Sequence, residues 1–174
     1  MPQITLCAFA DESGAKIETQ IENLLENGIY NVELRSADGI NVGDFSEQKA
    51  SEVYEKFYCA GIKVWSLGSP LGKIGISEPK EKHFRLLENL VRTAKIVHTD
   101  KIRMFSYFMK REEYDLYRGE VISRLNEMVA YAADNGITLC HENESEIFGA
   151  TVDNCAYISD NVPGIKIVYV MNYI

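Results

Sequence analysis

A chain of 174 residues, 46% hydrophobic and 25% charged, is long enough to bury a sizeable core. Its net charge of −8, with dispersed acidic residues and no basic block, argues against a nucleic-acid surface, which needs clustered Lys and Arg. No window approaches the roughly 18 apolar residues of a membrane-spanning helix, and Cys7, Cys59, Cys140 and Cys155 form no C-x-x-C pair, so they read as reduced.

The first predicted strand covers residues 3–9 and runs into Asp11-Glu12-Ser13. No basic-then-apolar leader precedes it, so the expected compartment is the cytoplasm. Ile17, Ile21, Leu24 and Leu25 recur at helical spacing and predict a helix ending at Gly28. The strand predicted over 30–35 carries Glu33 and Arg35, two apart and hence on one face. Ser46 is the expected N-cap of a second helix with Ala50, Val53, Tyr54 and Phe57 along one side. The strand predicted over 62–67 leads into Ser66 and the turn Gly68-Ser69-Pro70-Leu71-Gly72-Lys73, which lacks the spacing of a nucleotide-binding loop.

Pro79 suits the opening of a third helix bearing Phe84, Leu87, Leu90, Val91 and Ala94. His83 and His98 are expected at helix surfaces, and Trp65, Tyr54, Phe57 and Tyr58 in apolar packing. The strand predicted over 101–106 places Arg103 between Ile102 and Met104 and ends at Ser106. Val121, Leu125, Met128, Val129 and Ala132 form the stripe of a fourth helix. The strand over 137–142 ends in His141-Glu142-Asn143-Glu144; Thr151 then caps a fifth helix through Ile158, and a last strand covers 165–170.

A Gly-Ile pair introduces four of these strands, at Gly28-Ile29, Gly61-Ile62, Gly136-Ile137 and Gly164-Ile165. Glycine just past a helix end takes the left-handed conformation without a Cβ penalty, so the repeat marks one supersecondary unit used again and again. Helices returning apolar strands to one direction leave two options, an open doubly wound sheet or a closed barrel. The expected class is α/β, an incomplete (β/α)8 TIM barrel of about six parallel strands and five intervening helices. A full barrel needs about 250 residues.

In either architecture the active face lies at the C-terminal strand ends. His141-Glu142-Asn143-Glu144 is the densest polar cluster there, suited to a divalent ion or to acid–base work, or else a solvated loop. Arg103 on a strand fits either a bidentate clamp for carboxylate or phosphate, or a structural ion pair with a carboxylate such as Glu33.

Five stretches resemble the xylose-isomerase-like TIM-barrel superfamily, in particular its sugar-phosphate isomerase/epimerase members. They are Ala8-Phe9-Ala10-Asp11-Glu12, Val32-Glu33-Leu34-Arg35, Ser66 to Lys73, Ile102-Arg103-Met104-Phe105-Ser106, and Leu139 to Glu144 followed by Ile147-Phe148-Gly149. The resemblance implies that residues 1–174 are the N-terminal part of one barrel domain. It implies metal-assisted isomerisation or epimerisation of a ketose or ketose phosphate, with Glu142 as catalytic carboxylate and metal ligand and with Glu33, Arg103 and His141 lining the sugar pocket. The family's divalent ion (Mn, Mg, Co or Zn) takes four ligands, of which only Glu142 maps here. The strand-six Asp is replaced in Val168-Tyr169-Val170-Met171-Asn172-Tyr173, where Asn172 and an aromatic are kept. The implied chain is therefore a truncated member, inactive in this form and binding no metal tightly, with self-association through open barrel edges. A silent binding module and the superfamily's metal-dependent endonuclease branch are the other classes. The expected partner is a small sugar or sugar phosphate, with no nucleic acid and no membrane.

Overall fold

The computed structural model describes residues 4–170, in two compact units: 4–69 with 89–101, and 70–88 with 102–170. The expectation for Asn172 lies outside the described residues.

In the first unit, α1 (Ile17–Glu26) precedes β1 (Asn31–Leu34), and a hairpin of β2 (Ser36–Ala37) and β3 (Ile40–Asn41) follows. Asp38 and Gly39 both have positive φ at its tip, as a two-residue hairpin turn demands. The Asp38 carboxylate accepts the Ile17 amide at the start of α1 and pairs with Lys49 at 2.6 Å on α2 (Glu47–Cys59). The Lys49 contact is the main reason that carboxyl is held below its usual range. Ser46 caps α2 through the Lys49 amide at 3.1 Å, and Ala50, Val53 and Phe57 are buried, as predicted.

β4 (Lys63–Gly68) lies parallel to β1, pairing Val32 with Val64 and Glu33 with Ser66. Trp65 is the extra residue between those pairs, a bulge that turns Ser66 toward Glu33. Trp65 is consequently not core: it is 40% exposed, with the Lys63 and Lys101 ammonium groups 5.3 and 5.0 Å from its ring. Tyr58 is likewise exposed rather than packed. The strand predicted over 3–9 shrinks, among the described residues, to one parallel bridge between Ala8 and Val32, because the chain turns at once into a 3-10 turn at Ala10–Glu12.

Helix α3 (Lys80–Ile96) contributes to both units. The second unit then holds β5 (Lys101–Met104, from Ile102 onward), α4 (Tyr114–Asp134), β6 (Thr138–Glu142), α5 (Val152–Asn161) and β7 (Lys166–Val168). The strands are ordered β5-β6-β7, with β6 and β7 parallel through Cys140–Lys166 and Glu142–Val168. The predicted α4 stripe is buried as a whole, and the Thr151 hydroxyl caps α5 through the Asn154 amide at 3.2 Å. Each large aliphatic side chain buried in this way contributes about 1.5–3 kcal/mol.

The Gly-Ile junctions explain the alternation. Ile29, Ile62 and Ile137 donate their amides to the carbonyls of Leu24, Phe57 and Ala132, five residues back, each at 2.9 Å. That closure requires positive φ at Gly28, Gly61 and Gly136, which the structure shows. The fourth junction is built differently, with Ile165 donating to Val162. Among the described residues β1, β4, β5, β6 and β7 thus alternate with the five helices, as in an incomplete β/α barrel, and the sixth expected strand is only the Ala8 bridge.

Candidate functional site

In the second unit Arg103 on β5 and Glu142 at the end of β6 form an ion pair of 2.6 Å, with side chains 10% and 13% exposed. Charges so far from water persist only when paired and hydrogen-bonded. The Arg103 guanidinium also lies 5.0 Å from the ring centroid of buried Phe105. Lys73, from the turn after β4, lies 4.2 Å from the same centroid and pairs with Glu144 at 2.8 Å. Asn143 exchanges two hydrogen bonds with the Val170 backbone, at 3.0 and 2.8 Å, so the chain beyond β6 is tied to the chain beyond β7.

His141 faces the other way. Side chains alternate along a strand, and in β6 Leu139 and His141 are buried while Cys140 and Glu142 are partly open. His141 is fully buried, with Nε2 2.9 Å from the Ser106 hydroxyl, which in turn accepts the Gly149 amide at 2.7 Å. A Cβ on Gly149 would come within 2.3 Å of the imidazole, so only glycine fits. Burial pushes the His141 pKa down to about 4, leaving a neutral ring. The imidazole therefore stands behind Glu142 as a strut between β6, the end of β5 and the following loop.

His83 is also buried, contrary to its expected place at the surface; His98 is exposed, as expected. The His83 ring accepts the Gly72 amide, and burial lowers its pKa to about 4. Gly72 sits against the Phe105 carbonyl too closely for any side chain, at φ +89°. The loops after β4, β5 and β6 are stitched together by Gly75–Phe108 and Phe108–Ile147 bridges and by the Met109 amide on the Glu146 carbonyl.

The first unit carries Glu33, whose carboxylate accepts the Ser66 hydroxyl at 3.1 Å. Arg35 pairs with Asp11 at 2.9 Å and Glu12 at 3.0 Å and stacks on Phe9. The structure thus brings Arg103 and Glu142 together and turns His141 to the opposite face. Sequence reasoning missed Lys73–Glu144 and the buried role of His83. The latter had a signal, since His83 shares the apolar stripe of Leu87, Leu90 and Ala94.

A divalent ion needs several oxygen or nitrogen donors in fixed geometry. Among the described residues no three His, Cys, Asp or Glu side chains cluster in that way, and Glu142 is engaged by Arg103. This donor set does not fit the metal that the resemblance implies.

Comparison with known proteins agrees with the fold. The family model described as xylose isomerase-like TIM barrel matches residues 21–170. A probable 3-DHS dehydratase, AsbF, from Bacillus anthracis is 18% identical with a TM-score of 0.75, over 97% of this chain and 62% of that one. The 3-keto-D-glucoside 4-epimerase YcjR from E. coli is 16% identical, TM-score 0.70, over 97% and 68%. A D-psicose 3-epimerase solved in the presence of D-fructose is 17% identical, TM-score 0.66, over 95% and 63%. The chain therefore covers 62–68% of the length of these structures. No curated protein matches.

Proposed function

Because the chain belongs to the xylose isomerase-like TIM-barrel family, we propose that it carries the proton-transfer carboxylate of an isomerase or epimerase acting on a ketose or ketose phosphate. The observation that supports this most is the Glu142–Arg103 pair at the end of β6, a carboxylate and a guanidinium 2.6 Å apart and shielded from water. A carboxylate placed there removes the proton from the carbon beside a carbonyl and leaves an enediolate. Glu142 returning that proton to the neighbouring carbon on the same face gives the isomer; epimerisation needs a second acid on the opposite face of the enediolate to protonate the original carbon, with Glu142 keeping the proton it removed. Arg103 supplies a donor for the negative charge that develops on oxygen. Glu33, with Ser66, is assigned to sugar hydroxyls, and His141 is assigned to holding Glu142 rather than to the pocket itself.

The test is turnover of a ketose panel by the chain and its Glu142→Gln variant. The expected loss in the variant is about 10²–10⁴-fold; equal turnover in both would refute the role of Glu142. A second reading, a silent binding module on this scaffold, is favoured by the engagement of Glu142 with Arg103 and the lack of a donor cluster among the described residues. Calorimetry with manganese bears on it: the expected result is no micromolar one-to-one site.

No helix of the described residues is long and apolar enough to cross a membrane. A soluble sugar, rather than nucleic acid or lipid, is the partner we assign, and the cytoplasm is the compartment.

A further inference from the structure

We propose that the cavity between the loops after β5 and β6 binds a sugar phosphate, with Lys110 and Arg111 on its phosphate and Glu146 and Ser145 on its hydroxyls. The cavity measures about 710 Å³, a size that encloses a small ligand, and lies wholly within the second unit. None of the residues assigned to proton transfer lines it. Lys110 and Arg111 come from the loop after β5, Ser145 and Glu146 from the loop after β6, and Phe108 and Tyr114 add aromatic surface. All four polar residues are exposed, so a ligand reaches them without the chain opening.

Backbone bonds join the two walls. Phe108 and Ile147 form an antiparallel bridge, and the Met109 amide donates to the Glu146 carbonyl at 3.0 Å. The Tyr114 hydroxyl donates to the Ile147 carbonyl at 2.9 Å. The donors and acceptors are thereby preorganised and lose little freedom on binding. Glu146 is held at φ +64°, a left-handed conformation that disfavours any residue but glycine. Its bond to Met109 uses backbone alone, so the fold itself does not call for a carboxylate there. Strain kept at a charged residue lining a cavity marks a ligand clamp.

Charge selects the ligand. Among the described residues neither Lys110 nor Arg111 is in an ion pair. The nearby carboxylates are turned elsewhere: Asp115 pairs with Arg118 at 2.8 Å, and Glu113, which also lines the cavity, accepts the Lys110 amide at 2.9 Å. Glu112 is exposed and does not line the cavity. Two unpaired cations, one a planar fork and one a point charge, suit a phosphate dianion. Glu146 repels a bare phosphate but accepts hydroxyls, and Ser145 both donates and accepts. A phosphate and hydroxyls on one molecule satisfy both walls together.

Titration of the full chain with D-fructose 6-phosphate, D-fructose and inorganic phosphate, followed by calorimetry and amide NMR, tests this. The expected result is binding of the sugar phosphate about tenfold or more tighter than either part alone, with shifts centred on the Lys110, Arg111, Ser145 and Glu146 amides. Lys110→Met and Arg111→Met should each weaken it about tenfold at unchanged melting temperature. Glu146→Gly, which suits the positive φ, should weaken it without lowering the melting temperature. Equal affinity for D-fructose overturns the phosphate contact, and equal affinity for inorganic phosphate overturns the sugar contact. Absence of binding, or binding indifferent to all three substitutions, overturns the site.

Discussion

His141 and Glu142 are adjacent in sequence and opposite in direction: one is sealed against Ser106 and Gly149, the other meets Arg103 at 2.6 Å. The strand pleat makes the imidazole a support and leaves the carboxylate to the chemistry.

The support has no room to adjust. Gly149→Ala is expected to destabilise the chain by about 2–4 kcal/mol in urea unfolding, since the new methyl meets the His141 ring. Gly119→Ala on α4 is the matched control, with open space around its Cβ, and should stabilise by about 0.5–1 kcal/mol.

The Arg103–Glu142 pair should behave as a buried couple. Arg103→Met alone leaves a carboxylate without its guanidinium and is expected to cost about 3–5 kcal/mol. The double variant Arg103→Met/Glu142→Leu should recover much of that loss. Additive single and double effects in denaturant midpoints would deny the coupling.

His83 makes stability pH-dependent. Its folded pKa of about 4 lies below the ordinary 6.5, so the unfolded chain takes up the proton first as pH falls. The contribution is complete above about pH 6.5, declines between 6.5 and 4, and levels off below, amounting to at most about 3 kcal/mol. His83→Gln, which keeps an acceptor for the Gly72 amide, should roughly halve the pH dependence of thermal melts over that interval, because His141, held down to about 4 by burial in the same way, keeps its own share.

β7 has β6 on one edge and, among the described residues, no strand on the other, with Ile167 and Tyr169 exposed beside Val152 of α5. Self-association at high concentration is the expected outcome in sedimentation velocity. Ile167→Lys should abolish it without lowering the melting temperature.

Much of the fold is legible because its signals are chemical demands written in residue type. Gly28, Gly61 and Gly136 announce helix ends, and the stripe from Val121 to Ala132 announces a buried face. The strand at 3–9 misleads because apolar pattern does not show that the chain turns into the Ala10–Glu12 3-10 turn just after Ala8 bridges Val32. At the site, the run of polar residues from His141 masks the period-two alternation that separates His141 from Glu142. Lys73 and Glu144 stand 71 positions apart, and no local pattern ties them together.

Phe108 bridges Gly75 on one side and Ile147 on the other, through backbone alone. Three connections that are usually free to fluctuate separately are thereby made a single cooperative unit. Their amides, Ile76, Phe108 and Met109 among them, would exchange with solvent at one shared rate, and a protease would find them accessible together or not at all. A ligand that ordered any one of the three would order all of them.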